Sequence, residues 1–355
     1  MSSESAPPTS TTAIIPQGTE PAVPAPSSRE GIVKKLEKKG ARFGLEYDMF
    51  RSVQAIIDAG RARDPEAPSS VYTSWEQKLH KLYDSLTAIA PELRDELTIR
   101  GPTGSPEVAE MIERGRTRDR NNIVNTCKGG IRDWITFNPP LPTEKQFRGF
   151  SCESTGQLLC PVMYDYGDAR VRVALLEYHA DYPQGADDYP AFLWRDNTAD
   201  KTNFFRGFCE GLLICKGLQH ILVAPSVAKS NDGVTSRSNR KGRAQIHGIR
   251  TVTPAMIAYI ACIVHFSLSS QVTFGAGSED ERGKFWYEGF YNSLIRTIED
   301  VMPEELRTAL LSFHSIRVLS AIQADAATSG TRRINSVAHH MALAQASTSS
   351  DVPSV

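Results

Sequence analysis

The sequence predicts an all-α protein: a multi-helix globular domain with a long irregular Tyr/Asp-rich middle section and disordered termini. Three observations carry this. Apolar residues recur at helical spacing through most of the chain, behind recognisable helix caps. Alternating strand patterns are nearly absent. The most apolar run, Ala255 to Leu268, is 14 residues long and contains His265, which is too short for a membrane span and suits a buried core helix.

The elements follow in chain order. Residues 1–28 hold six prolines among Ser, Thr and Ala, a composition that buries too little surface to order itself. "SSREGIVKKLEKKG" opens with a Ser27-x-x-Glu30 capping box, and its helix is expected to stop at Gly40. "GLEYDMFRSVQAIIDAG" places Leu45, Met49, Val53, Ile56 and Ile57 on one helical face and ends at Gly60. In "SWEQKLHKLYDSLTAIAPEL", Ser74 reads as the cap, and Trp75, Leu79, Leu82, Leu86 and Ile89 form an interhelical seam. "SPEVAEMIERG" starts at Ser105 with Pro106 in the first turn, and after the polar "RTRDRNN" the pattern resumes as "IVNTCKGGIRDWI". Residues 148–200 are mostly irregular, with one short helix at 168–178. Strong helical patterns cover 203–223, 254–270, 283–300 and 303–322, the last with acids in its first turn. From 323 onward the tail is again of low complexity. The expected units are therefore an N-terminal helical segment at 29–100 and a main helical domain at 101–322.

Composition bounds the function classes. Across 355 residues, 40% are hydrophobic and 23% charged, enough for a sizeable core. A net charge of −1 excludes a uniformly basic nucleic-acid binder but not a local basic patch. Six scattered cysteines do not make a disulfide scaffold, and no secretory signal opens the chain, so an intracellular protein of cytoplasm or nucleus is expected, with no membrane partner.

Several blocks together are similar to a known family. They are "RGFSCESTGQLLCPVMYDYGDARVR" at 148–172, preceded by "DWI" at 133–135, then "DYPAFLWRD", "FFRGFCEGLLICKGLQHILVAPSVA", "IHGIRTVTPAMIAYIACIVHFSLSS" and "FWYEGFYNSLI". Over about 108–300 the chain resembles an uncharacterised family of basidiomycete fungi, recorded only as a domain of unknown function. The resemblance implies a shared, mostly helical fold and a mushroom-forming source. It implies no activity.

Two basic stretches stand out. From Gly233 to Ser278 there is no Asp or Glu, while Arg237, Arg240, Lys241, Arg243 and Arg250 carry positive charge. This loop leads through His247 to Thr253-Pro254, read as a helix start whose free N–H groups attract anions. The second stretch holds Arg114, Arg116, Arg118 and Arg120, with Asp119 as its one acid. Facing one another, the two would make a groove suited to nucleic-acid phosphates. The plain alternatives are a solvated loop and a solvated helix face.

Segment 165–200 is the reverse, with eight acids interleaved with tyrosines. His179, Asp181, Asp187 and Asp188 have the chemistry of hard metal ligands, but their spacing fits no metal motif. Its aromatics are expected to pack on the helices and its carboxylates to pair with the basic stretches, within the chain or between subunits. Cys209, Cys215 and Cys262 read as core, and His220 and His265 as buried histidines with hydrogen-bond partners.

The leading reading is a non-enzymatic helical binding or assembly module with a protein partner or self-association, and no cofactor or metal. The first alternative is a nucleic-acid-associated protein binding phosphate through 114–132 and 237–250. The second is an enzyme of unknown chemistry near His247, with no catalytic residue assigned.

Overall fold

Thr253 accepts the Met256 amide and Pro254 fills the first turn, so a helix starts there and runs to Leu268. Every residue of it from Ala255 to Leu268 is buried, and the other elements pack around it. A computed structural model of the chain describes residues 26–230, 241–278 and 283–334. In chain order the helices are α1 (Pro26–Glu46), α2 (Val53–Ala62), α3 (Ser74–Ile89), α4 (Glu92–Arg100), α5 (Ser105–Gly130), α6 (Glu153–Leu159) and α7 (Ala169–Leu176). They continue as α8 (Leu212–Leu222), α9 (Pro225–Lys229), α10 (Arg243–His247), α11 (Pro254–Leu268), α12 (Tyr287–Arg296) and α13 (Glu304–Ile334). Among the described residues there is no strand, and the fold is all-α. Nor is any helix there long and apolar enough to cross a membrane.

Two hydrophobic clusters share α5. Its Ile112 belongs with Leu36, Ile56 and Leu86 of α1–α3, and its Ile123 and Cys127 with Trp134, Met256 and Ile260 around α11. Each such Leu or Ile, fully buried, contributes about 1.5–3 kcal/mol. Spanning 26 residues, about 39 Å at the usual rise, α5 ties the N-terminal helices to the centre. A bond from Thr253 Oγ1 to the Glu46 carbonyl adds a second tie, from the start of α11 to the end of α1. At the other end of α11, Lys145 and Arg148, the first residue of the "RGF" block, donate to the last carbonyls, Lys145 to Phe266 and Ser269, Arg148 to Ser267.

Element boundaries differ from the sequence reading for physical reasons. Gly40 does not stop α1; it is where α1 touches α5, since a Cβ there would stand 1.9 Å from the Ile112 carbonyl oxygen. The expected single helix over 44–60 is split, because the Asp48 carboxylate accepts the Phe50 and Arg51 amides in a turn and Ser52 caps α2. Thr73, not Ser74, caps α3, in a reciprocal box with Glu76. "RTRDRNN" is no break, and α5 is continuous, Arg116 pairing back to Glu113. The helix expected from 203 starts only at Leu212, because Gly207 and Cys209 have φ of 73° and 59° and "FFRGF" packs as aromatic turns against Trp194. Helix α12 is shorter than expected and ends in a π turn at 297–301. Helix α1 starts at Pro26, and α13 runs past 322 to Ile334 on the good helix formers "AIQADAA"; the rest of both tails lies outside the described residues.

Candidate anion-binding cleft

Arg243, the first residue of α10, grips the Asp119 carboxylate with Nε and Nη2, the shorter contact 2.7 Å. That clamp links elements 124 residues apart and sets the two basic stretches side by side. Gly242 makes the approach possible: a Cβ there would stand 2.2 Å from the Val223 carbonyl oxygen. Helix α10 closes at His247, with Gly248 in the left-handed region that glycine tolerates.

The other predicted residues separate into buried and open groups. Arg116 is only 3% exposed and is held by Glu113 and Asp48, and Arg120 donates to the Met49 carbonyl while burial pushes its pKa down. Both lie on the inward stripe of α5 and hold the fold. Arg118 projects outward, 70% exposed, at 3.0 Å from Glu37. Lys241 and Arg250 are exposed, Thr253 is engaged at the start of α11, and Arg237 and Arg240 lie outside the described residues.

The sequence reading missed α1. Its run "KKLEKKGAR" carries Lys34, Lys35, Lys38, Lys39 and Arg42 against the single acid Glu37, and it faces the same cleft. The signal was that charge imbalance, overlooked because the run read as a capped amphipathic helix. Lys34 pairs with Glu30, Arg42 with Glu46, and Lys39 donates to the Ile89 carbonyl. Lys35, Lys38 and Lys241 are exposed and have no carboxylate partner among the described residues.

Three hollows join here. Lys38 is common to the first and second, Ile246 and His247 to the second and third, and Asp119 to the first and third. The third, an open hollow between α5, α8 and α10, has a volume of about 670 Å³. Burial is the main cause that pushes His247 down to about 4; Lys38, Arg243 and Arg42 act the same way and Asp119 opposes them. At neutral pH His247 is therefore an uncharged hydrogen-bonding ring inside a cationic rim. The arrangement suits holding an anion through lysine and arginine charge.

Elsewhere the expectations divide. Cys209, Cys215 and Cys262 are buried, and all six cysteines are free thiols. His265 is buried with a partner, 3.2 Å from the Tyr287 hydroxyl. His220 is buried without one: neither ring nitrogen has a hydrogen-bond partner. The aromatics of 165–200 do pack on the core, Tyr189 against Phe208 and Phe290. Several of its carboxylates pair with arginines outside the basic stretches. Asp168 pairs with Arg170, Asp200 with Arg206 and Asp187 with Arg296. Among the described residues no three His, Cys, Asp or Glu side chains are grouped to hold a metal ion.

A family model, described as a family of unknown function (DUF6698), matches residues 114–319, more than half of the chain, and the chain belongs to that family. The match starts inside α5 and leaves out α1–α4. No curated protein and no solved structure matches the chain.

Proposed function

For a member of a family without an assigned activity, we propose a non-enzymatic helical binding module whose ligand is a single nucleic-acid strand, held by its phosphates in the cleft between α1, α5 and α10. The observation that carries this is the Arg243–Asp119 clamp, which supports one continuous cationic path where the sequence has three separate runs. Along it Lys35, Lys38, Arg118 and Lys241 offer exposed charge at several points, as successive phosphates require. The path bends around a five-residue helix, which a flexible strand can follow and a stiff duplex cannot. This ligand goes with an intracellular setting, cytoplasm or nucleus.

Fluorescence anisotropy with a labelled 20-nucleotide single strand at rising salt tests the reading. With about four phosphate contacts, log affinity falls against log salt with a slope near −3. Lys38→Glu/Lys241→Glu, both at exposed positions, is expected to weaken binding at least roughly tenfold and to flatten that slope by more than 1. Absence of binding, salt-independent binding, or wild-type affinity in the double variant would each sink it.

A second reading, self-association, has its own support. The cleft lies beside the first half of α11, where Asp119 and Arg243 act on Tyr259, while the acidic Tyr178–Asp188 loop borders the other end, at His265 and Ser269. Charges kept apart within one copy are free to meet between copies. Multi-angle light scattering is expected to show a dimer or larger species that dissociates in high salt, and a monomer at every concentration refutes it.

A further inference from the structure

We propose that a second hollow, of about 620 Å³ at the C-terminal end of α11, binds a small organic amine, its ammonium held between aromatic rings and carboxylates. It is bordered by the end of α7, the end of α11 and the start of α12, and shares no lining residue with the cleft. Tyr178 and Trp286 both line it, and neither ring meets another aromatic ring among the described residues. Tyr178 is 45% exposed, so core packing does not account for it. Its backbone is strained as well. With φ of 55° it stands just past α7, where the Tyr178 and His179 amides donate back to the Leu175 and Ala174 carbonyls. Glycine is the usual residue at that left-handed position, and a bulky side chain is kept there when it has a use. The Tyr178 phenol lies near enough to the floor to act on the buried Tyr287, whose pKa burial mainly raises and Tyr178 raises further. Trp286 lies flat on Gly289, where an added Cβ would stand within 2.7 Å of three ring atoms. One face of the indole is thus covered by α12, and the other borders the hollow.

The surroundings set the charge of the ligand. Asp187 and Asp188 line the hollow, with Glu177 and Asp181 in the same loop, against a single lining lysine or arginine among the described residues, Lys284. Asp187 uses Oδ1 on Ser293 and Arg296, and Asp188 uses Oδ2 on the Gly185 amide. The second oxygen of each carboxylate has no partner among the described residues, and the Asp187 side chain is 74% exposed. On the floor, burial, with Lys145 adding to it, pushes His265 down to about 3, so that ring is uncharged at neutral pH and does not repel a cation. Lys145 itself is turned away, to the Phe266 and Ser269 carbonyls and the Phe266 ring. A cation over an aromatic face is drawn to the negative face of the ring, and more strongly when partly desolvated. An amine on an apolar body uses the rings and the carboxylates together, whereas an anion meets one cation and two carboxylates. The volume lies within the range of about 300–1,000 Å³ usual for small-ligand pockets.

Calorimetry on the full chain with 2-phenylethylamine tests the site, against 2-phenylethanol and 3-phenylpropionate, which keep the body and change the charge. Wild type is expected to bind the amine at least roughly tenfold more tightly than the alcohol, and the carboxylate least of the three. Asp187→Asn/Asp188→Asn is expected to bring the amine down to the affinity of the alcohol and to leave the alcohol unchanged. Tyr178→Gly is the decisive variant, because it removes the ring and also relieves the left-handed strain. Its Tm is expected to rise by a few degrees while its affinity for the amine falls at least roughly fivefold. Such a gain in stability with a loss of binding is the signature of a side chain kept for a ligand. No binding of the amine, equal binding of the three compounds, or a preference for the carboxylate overturns the proposal. So does wild-type amine affinity in Tyr178→Gly, or a fall in its Tm, which would make the ring a structural one. None of these outcomes bears on the strand reading, whose ligand lies in the cleft.

Discussion

Acidification from pH 7 to about 4.5 is expected to unfold the protein cooperatively, the loss setting in near pH 6.5, above the range where ordinary carboxylates titrate. Three histidines are buried uncharged. Burial pushes His265 down to about 3, with Lys145 adding to the effect. It pushes His314 to about 4, with Arg317 adding and the bond from Nε2 to the Cys209 carbonyl opposing, and His220 also to about 4. In the unfolded chain the same rings take up protons near pH 6.5. Between that pH and about 4 the unfolded state therefore binds more protons, so stability is full above pH 6.5 and falls as pH falls. At about 1.4 kcal/mol per pKa unit, each histidine costs on the order of 2 kcal/mol by pH 4.5, and the three together on the order of 6. A typical domain has only about 5–15 kcal/mol in total. Thermal melts followed by circular dichroism from pH 7.5 to 4.5 are expected to show a steady fall in Tm below pH 6.5. His314→Gln, whose amide can still donate to Cys209, is expected to shallow that fall. A Tm that stays flat to pH 4.5 contradicts the uncharged, buried placement.

How much of this was legible depended on whether the cause was local. The α11 core helix was legible because Thr253, Pro254 and an unbroken apolar run all act within a few residues of one another. The inward facing of Arg116 and Arg120 was legible in principle. Residues 112, 116, 120, 123 and 127 follow helical spacing, so both arginines share the stripe of Ile112, Ile123 and Cys127. By charge alone they read as surface residues; by register they belong to the inward face. What local patterns could not reveal are relations across the fold. Asp119 is only the one acid of a basic run until Arg243 arrives 124 residues later and makes a cleft of the two stretches. Likewise, that His220 lacks a partner is a property of its neighbours, Trp134 and Gly130, which lie far back in the chain. Composition also misled in one direction. The acidic 165–200 segment and the basic stretches are opposite in charge, yet they lie beside different parts of α11, the acidic loop at His265 and Ser269 and the basic clamp at Tyr259.

Placing a methyl group between α1 and α5 is expected to be among the most damaging small changes the chain can suffer. The two helices meet backbone to backbone at Gly40 and Gly115. A Cβ on Gly40 would stand 1.9 Å from the Ile112 carbonyl oxygen, and one on Gly115 would stand 1.8 Å from that of Glu37. Neither obstacle is a side chain that can swing aside, so the helices must part. Overpacking of this kind costs about 1–3 kcal/mol, and the upper end applies where backbone is the obstacle. The better helix propensity of alanine returns about 1 kcal/mol. Each of Gly40→Ala and Gly115→Ala is therefore expected to lose about 2 kcal/mol in urea denaturation. The double variant should lose less than the sum, because once α1 has moved away for one methyl it has partly made room for the other. Gly129→Ala is the control: it lies in the same helix α5 with nothing within 4 Å of the added carbon, so it keeps the propensity gain and is expected to be slightly stabilised. Strict additivity of the two losses would mean that the glycines act separately and that α1 does not move as a body. Equal stability in all four proteins would mean that the close contact is absent, and with it the seat of the α1 lysines in the cleft.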